Sequence, residues 1–148
     1  MADDDYTREG EALFGRFAAR HRLNHEVQTG EAGSWGMFWD FPRQEGLSLP
    51  LVLGLQNADE LNFGVSDFWS YFFPFEKVAA EFEFILDAWV SGRARVIVTG
   101  RSGRVLQVWV GGRWKSVYMA NRILPYWGKP KRVIQNRPLP DDTAASGP

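Results

Sequence analysis

Ala32-Gly33-Ser34-Trp35-Gly36 is the nearest approach in this chain to a nucleophile elbow, the sharp turn that presents a reactive serine. The elbow needs a strand before it and a helix after it. Here a polar stretch precedes and an apolar–polar alternation follows, and both histidines, His21 and His25, come before Ser34. No serine nucleophile is expected. His21 and His25 are four residues apart, a spacing that puts two imidazoles on one helix face and can hold a metal. There is no HExxH and no cysteine, and a third ligand would have to be a carboxylate such as Glu26. Histidines at a helix C-terminus also gain from the helix dipole, so neither a metal nor a cofactor is expected.

The carboxylates nearest to aromatic residues are Asp59, Glu60, Asp67 and Glu76. Glycoside hydrolysis needs two carboxyl groups across a cleft, and nothing in the spacing pairs them; solvated turns and a helix start account for them. Gly100-Arg101-Ser102-Gly103-Arg104 and Gly111-Gly112-Arg113 resemble glycine-rich anion loops. They lack the lysine and the strand–loop–helix setting of a phosphate loop, and hairpin turns explain both. Their backbone N–H groups and arginines leave anion binding as an alternative, with Arg101, Arg104, Arg113, Lys115, Lys131 and Arg132 as its residues. No catalytic constellation is legible.

Charge is the strongest functional signal. From Glu26 to Asp87 there are eleven acidic residues and two basic ones; from Arg93 to Arg137 there are eleven basic residues and no acidic one. The formal net charge of −1 conceals this polarity. Such asymmetry concerns partners and orientation rather than fold. The segment Ser66 to Phe75 adds six aromatic residues, too many to bury from one short stretch. Trp69 and Tyr71 are therefore expected in a partly exposed patch beside Asp59, Glu60 and Asp67.

At 148 residues, 45% hydrophobic and 24% charged, the chain has the composition of one globular domain, expected to span 1–148. The absence of cysteine excludes disulfides and thiolate metal sites. No apolar run is long enough to cross a bilayer, and the acidic N-terminus does not read as a secretory signal. A soluble cytoplasmic protein is expected, with tails at 1–5 and 138–148 too polar or proline-rich to order.

These residues need elements to position them. Thr7 to Leu23 reads as an amphipathic helix capped by Thr7, with Leu13, Phe14, Phe17 and Ala18 on one face. Asn24 to Ser34 reads as a polar loop. Trp35–Phe41, Leu47–Leu55 and Leu61–Val65 read as strands. Pro50 cannot donate to a ladder, which points to an edge or bulged second strand. Ser66–Phe73 is left unassigned. Pro74 opens a second helix ending at Gly92. Ala94–Thr99, Arg104–Val110 and Arg113–Met119 form a second meander, turned at 100–103 and at Gly111-Gly112. One face of this meander is expected to carry Trp109, Trp114, Val105 and Tyr118 with Val96 and Val98. An extended arm follows through Ile123, Leu124, Tyr126 and Trp127. The fold class is α+β: an antiparallel sheet of about six strands in two meanders with two helices, order α-βββ-α-βββ, packed mainly on one face.

The function expected from these features is a small protein-binding module, similar in size and charge to small chaperones and toxin-neutralising immunity proteins. Its protein-binding residues are Asp59, Glu60, Asp67, Trp69 and Tyr71, its partner is basic, and a homodimer is compatible with the polarity. A small-molecule protein or enzyme with a pocket beneath residues 66–75 is the alternative. Nucleic-acid binding through residues 93–137 is the second alternative, opposed by the sequence pI of about 6.1.

Overall fold

The computed structural model describes residues 6–29, 36–120 and 132–140. The fold is α+β, with two helices and two antiparallel sheets. The chain divides into two compact units, 1–84 and 85–148, with the division inside the second helix.

The first unit opens with α1 (Thr7–His21). Its N-cap is Tyr6, not Thr7, and no side chain caps it. Tyr6 is instead held by its backbone N–H, which donates to the Ala58 carbonyl at 2.8 Å, and by its ring, stacked 4.7 Å from Phe75. Arg22 closes the helix in the left-handed region, φ 55°. A five-stranded sheet follows in sequential order: β1 (Glu26–Thr29), β2 (Gly36–Phe41), β3 (Leu51–Gln56), β4 (Glu60–Val65) and β5 (Phe68–Trp69). Strand side chains alternate between faces, and here the inner face carries Met37, Trp39, Phe41, Leu51, Leu53, Leu55, Leu61, Phe63 and Val65, all buried. Leu13, Phe14 and Phe17 of α1 join this core, with Phe14 edge-on to Trp39 and Phe17 edge-on to Phe41, each at 5.6 Å. A Cβ on Gly10 would lie 3.2 Å from the Leu55 side chain, so the helix backbone comes down close on β3.

Three differences from the sequence expectations arise here. Glu26–Thr29 is a strand rather than loop, because it pairs with β2 over four residues. Leu47–Leu55 is not one strand: Leu47 makes an isolated bridge to Gln44, and Pro50 stands just before β3. That placement keeps the missing N–H out of the ladder, so β3 lies in the middle of the sheet and not at its edge. Finally, Phe68–Trp69 continues the sheet, and Phe72 exchanges backbone hydrogen bonds with Leu61 at 2.8 Å.

Helix α2 (Phe75–Ser91) starts after Pro74, whose carbonyl accepts the N–H groups of Lys77 and Val78. In the first unit, Phe75 and Phe82 are buried, and Phe82 meets Phe72 edge-on at 5.6 Å.

In the second unit Ile85, Leu86 and Trp89 are fully buried. Its four-stranded sheet has the order β8-β7-β6-β9, from β6 (Ala94–Thr99), β7 (Gly103–Val110), β8 (Arg113–Ala120) and β9 (Arg132–Ile134). Asn136 donates to the Val90 carbonyl and Gln135 to the Gly92 carbonyl, tying the segment after β9 to the end of α2. Gly92 has φ 86°, and a Cβ there would lie 2.5 Å from the Pro138 carbonyl oxygen, so both conformation and space require glycine.

The pairings Val110–Arg113, Trp109–Trp114 and Val108–Lys115 hold as the Gly111-Gly112 turn predicts. The expected faces do not. Thr99 pairs with Gly103, which matches odd residues of β6 with odd residues of β7. Val96 and Val98 therefore share a face with Leu106 and Val108, while Val105 and Trp109 lie with Ile97 and Arg95 on the other. Closing the loop one residue earlier than expected inverts the assignment, since strand periodicity is two. A register shift between Leu106 and Gln107 changes it again along β8, pairing Leu106 with Tyr118.

A candidate binding face on the first sheet

The face of the first sheet opposite its leucines carries polar side chains, two glycines and the Phe38 and Trp69 rings. Register aligns one row of them across all five strands: Glu26 opposite Asp40, Asp40 opposite Val52, Val52 opposite Gly64, and Gly64 opposite Trp69. Four inter-strand spacings make this row about 19 Å long. The neighbouring row is Gln28, Phe38, Gly54 and Asn62.

Two glycines shape the surface. A Cβ on Gly64 would lie 2.5 Å from the Trp69 ring, and one on Gly54 would lie 2.8 Å from the Phe38 ring. Each ring thus lies across the glycine of the adjacent strand, filling the space a side chain would take. Trp69 is held there from below. Ser70 is buried, donating its hydroxyl to the Phe63 carbonyl and accepting the Phe63 N–H, both at 3.1 Å. Asn62, also buried, donates its amide to the Ser70 carbonyl at 3.1 Å.

Two cavities open along the first row. One, of about 530 Å³, is lined by Asn24, His25, Glu26, Asp40, Phe41, Pro42, Pro50, Leu51 and Val52. The other, of about 370 Å³, is lined by Leu49, Pro50, Val52, Gly64, Val65, Ser66, Phe68 and Trp69. They share Pro50 and Val52. The first is acidic at one end, because Glu26 and Asp40 are directly opposed carboxylates, an arrangement that costs stability on adjacent strands. The Gln28 amide donates to Asp40. Among the described residues, no ion pair joins either carboxylate to a basic side chain. His25 stacks on Trp39 at 4.3 Å and lies 5.4 Å from Phe41, with its Nδ1 buried and without a hydrogen-bond partner.

The residues proposed from sequence are distributed unevenly about this face. Trp69 is on it, half-buried. Asp67 is exposed in the turn just before it, and Tyr71, 46% exposed, meets the Trp69 ring edge-on at 6.5 Å. Asp59 and Glu60 lie at the other end of the six-residue strand β4, where Glu60 accepts a hydrogen bond from Asn57 at 3.3 Å. The five therefore do not form one cluster. Sequence reasoning missed Glu26, Asp40, Pro50, Val52 and Gly64 as a group. The alternation of residues 36–41 and 51–56 did place Asp40 and Val52 away from the core. Without the pairing of β1, nothing put Glu26 beside them.

The proposed anion residues do not converge. Arg104, 9% exposed, spends its guanidinium on the carbonyls of Gly103 (2.9 Å) and Arg101 (3.4 Å) within its own hairpin. Arg101 is exposed in that turn. Arg113 and Lys115 are exposed on β8 at one edge of the second sheet, and Arg132 is exposed on β9 at the other. Lys131 lies outside the described residues, as do Ala32–Trp35, the arm at 121–131, the expected tail at 1–5, and 141–148 of the expected tail at 138–148. The most organised basic group is Arg95. It donates to Gln107 at 2.8 Å and stacks 4.1 Å from the Trp114 ring centre. Burial holds its guanidinium below the ordinary arginine range.

His21 turns toward Phe17, with ring centres 5.2 Å apart. Among the described residues there is no group of three His, Asp or Glu side chains placed to hold a metal ion, and no helix is long and apolar enough to cross a membrane. Comparison of the chain with protein-family models, with curated proteins and with solved structures gives no match in any of the three.

Proposed function

We propose that this chain is a protein-binding module whose first sheet receives a partner segment carrying basic and apolar side chains. The reading rests on the row Glu26–Asp40–Val52–Gly64–Trp69, with its two adjoining cavities. Acidic groups stand at one end, an apolar floor lies in the middle, and an aromatic wall closes the other end. Opposed charges across an interface set register and speed encounter, while the apolar floor and tryptophan supply the area that binding energy draws on. The wider excess of acid between Glu26 and Asp87 acts in the same direction by attracting a basic partner. The resemblance in size and charge to chaperones and immunity proteins belongs with this reading.

The test is selection from a displayed library of random decapeptides, using the full chain and its Glu26→Lys/Asp40→Lys variant. Glu26 is exposed and Asp40 half-buried, so charge reversal there leaves the core intact. The wild-type chain is expected to enrich peptides with arginine or lysine near an apolar residue, and the variant is expected to lose them. No enrichment, or enrichment that survives the double substitution, overturns the proposal.

The cavity beside Ser66, Phe68 and Trp69 favours a second reading, a small apolar ligand beneath the aromatic segment. An apolar dye that quenches tryptophan emission in the wild type but not in Trp69→Phe is its expected signature.

A further inference from the structure

The acidic cavity has a particular chemistry, and we infer that it is an arginine pocket whose neighbour seats an apolar side chain three residues along the same partner segment. This rests on the protein-binding reading above and specifies what that surface recognises. Glu26 and Asp40 stand directly opposite each other on antiparallel strands. Such pairs place their Cβ atoms about 5 Å apart, close enough for the two carboxylates to share one cation, and Asp40 also accepts from the Gln28 amide. A cation between them relieves the repulsion and gains two charge-assisted contacts. A planar guanidinium has five donors in a fixed fork and can bridge two carboxylates at once; a lysine ammonium is a compact point charge that cannot match both planes. The remaining lining suits the arginine stem. Pro42, Pro50 and Val52 make an apolar wall for the methylenes.

The second cavity fixes the spacing. The first is lined by residues of β1 to β3, and the second by residues from β3 to β5. Their centres are therefore about two strand separations apart, roughly 10 Å. In a polyproline-II segment, side chains at i and i+3 lie on the same side and about 9.3 Å apart. A fully extended strand offers roughly 7 or 13 Å for same-side residues, too short or too long. The recognised sequence is thus Arg-x-x-apolar, lying across the strands in a polyproline-II conformation, arginine toward β1 and the apolar residue toward Trp69.

The probe is the synthetic peptide acetyl-Gly-Arg-Pro-Pro-Leu-Gly-amide, titrated into the isotopically labelled full chain and followed by NMR. The expected result is saturable shifts at the His25 ring protons, the Val52 methyls and the Trp69 indole. Replacing arginine by citrulline, which keeps shape and removes charge, is expected to weaken binding at least about tenfold. Moving leucine next to arginine is expected to abolish the Trp69 shift while keeping that of His25. Asp40→Asn is expected to weaken the arginine peptide as much as citrulline does and leave the citrulline peptide unaffected, a pattern that loss of folding would not give. Equal binding of arginine and citrulline peptides, shifts away from the row, or no binding at millimolar peptide overturns the inference. Because the library selection presupposes neither arginine nor a spacing, its success alongside failure here would retain the binding face and discard the arginine pocket. Its failure would discard both.

Discussion

Trp69 and Gly64 are best understood as one unit of two residues. The ring occupies the volume that any other residue at 64 would claim, so Gly64→Ala must displace it: the new Cβ would meet Cε3 at 2.5 Å. A cost of about 1–3 kcal/mol is expected, measured by urea unfolding, together with a red shift in tryptophan emission as the indole moves toward water. The double variant Gly64→Ala/Trp69→Ala is expected to recover part of that stability. A second residue-level prediction concerns Ala58, which has φ 72° in the turn between β3 and β4, where Asp59 donates back to the Asn57 carbonyl at 2.8 Å. Left-handed backbone costs a residue with a Cβ about 1–2 kcal/mol, while glycine costs less than that through its freer unfolded state. Ala58→Gly is expected to raise stability by about 0.5 kcal/mol, seen as a higher midpoint in the same assay. The turn at Asn57-Ala58-Asp59 was legible from composition. The ring-over-glycine pairs were not, because each depends on which residue of another strand stands opposite.

Among the elements, α1 is joined to the first part of α2 by charge. Glu83 accepts from Arg16 in two hydrogen bonds, at 2.9 and 3.1 Å, and from Arg20 at 2.8 Å. Arg16 foremost, then Arg20, holds the Glu83 carboxyl below the usual carboxylate range against the opposing effect of its partial burial, and Glu83 in turn raises Arg16. A depressed carboxyl pKa stabilises the folded state above the unfolded value, about 4.3 for glutamate, and the contribution fades as pH falls through the lower folded value. Because Arg16 is 55% exposed, water screens the pair, and the contribution is about 0.5–1 kcal/mol. Glu83→Gln is expected to lower stability by that amount at pH 7 and to make the variant and wild type converge as pH falls through the depressed folded value of Glu83, followed by thermal unfolding across pH. The elements themselves were largely visible in the sequence. Both helices and the main strands follow apolar periodicity, and the Gly111-Gly112 turn set its own register. What escaped were segments that owe their conformation to a neighbour. Glu26–Thr29 is polar and becomes strand by pairing with β2; Phe68–Trp69 is a two-residue strand; and Thr99–Gly103 differs from the expected loop by one residue, enough to exchange the faces.

At the scale of the whole molecule, charge follows the division of the chain. All but one of the acidic residues between Glu26 and Asp87 belong to the first unit, and the basic residues from Arg93 to Arg137 belong to the second. A partner attracted by the first unit's field is expected to associate more slowly as salt rises from 50 to 300 mM, with dissociation changed much less, since screening acts on encounter before contact. Stopped-flow mixing at several salt concentrations separates the two rates. The polarity is plain from the sequence; the row proposed to use it is not, since Asp59 and Glu60, the acidic pair adjacent in sequence, stand at the far end of β4. The proposed binding row runs perpendicular to the chain, taking one residue from each of five strands. Read along the sequence, it is scattered letters separated by turns, with no string for a motif to match. It is also fragile in an unusual way: inserting a single residue before Val52 would rotate that strand's contribution inward and divide the trough, while composition, helices and overall charge stayed as they are.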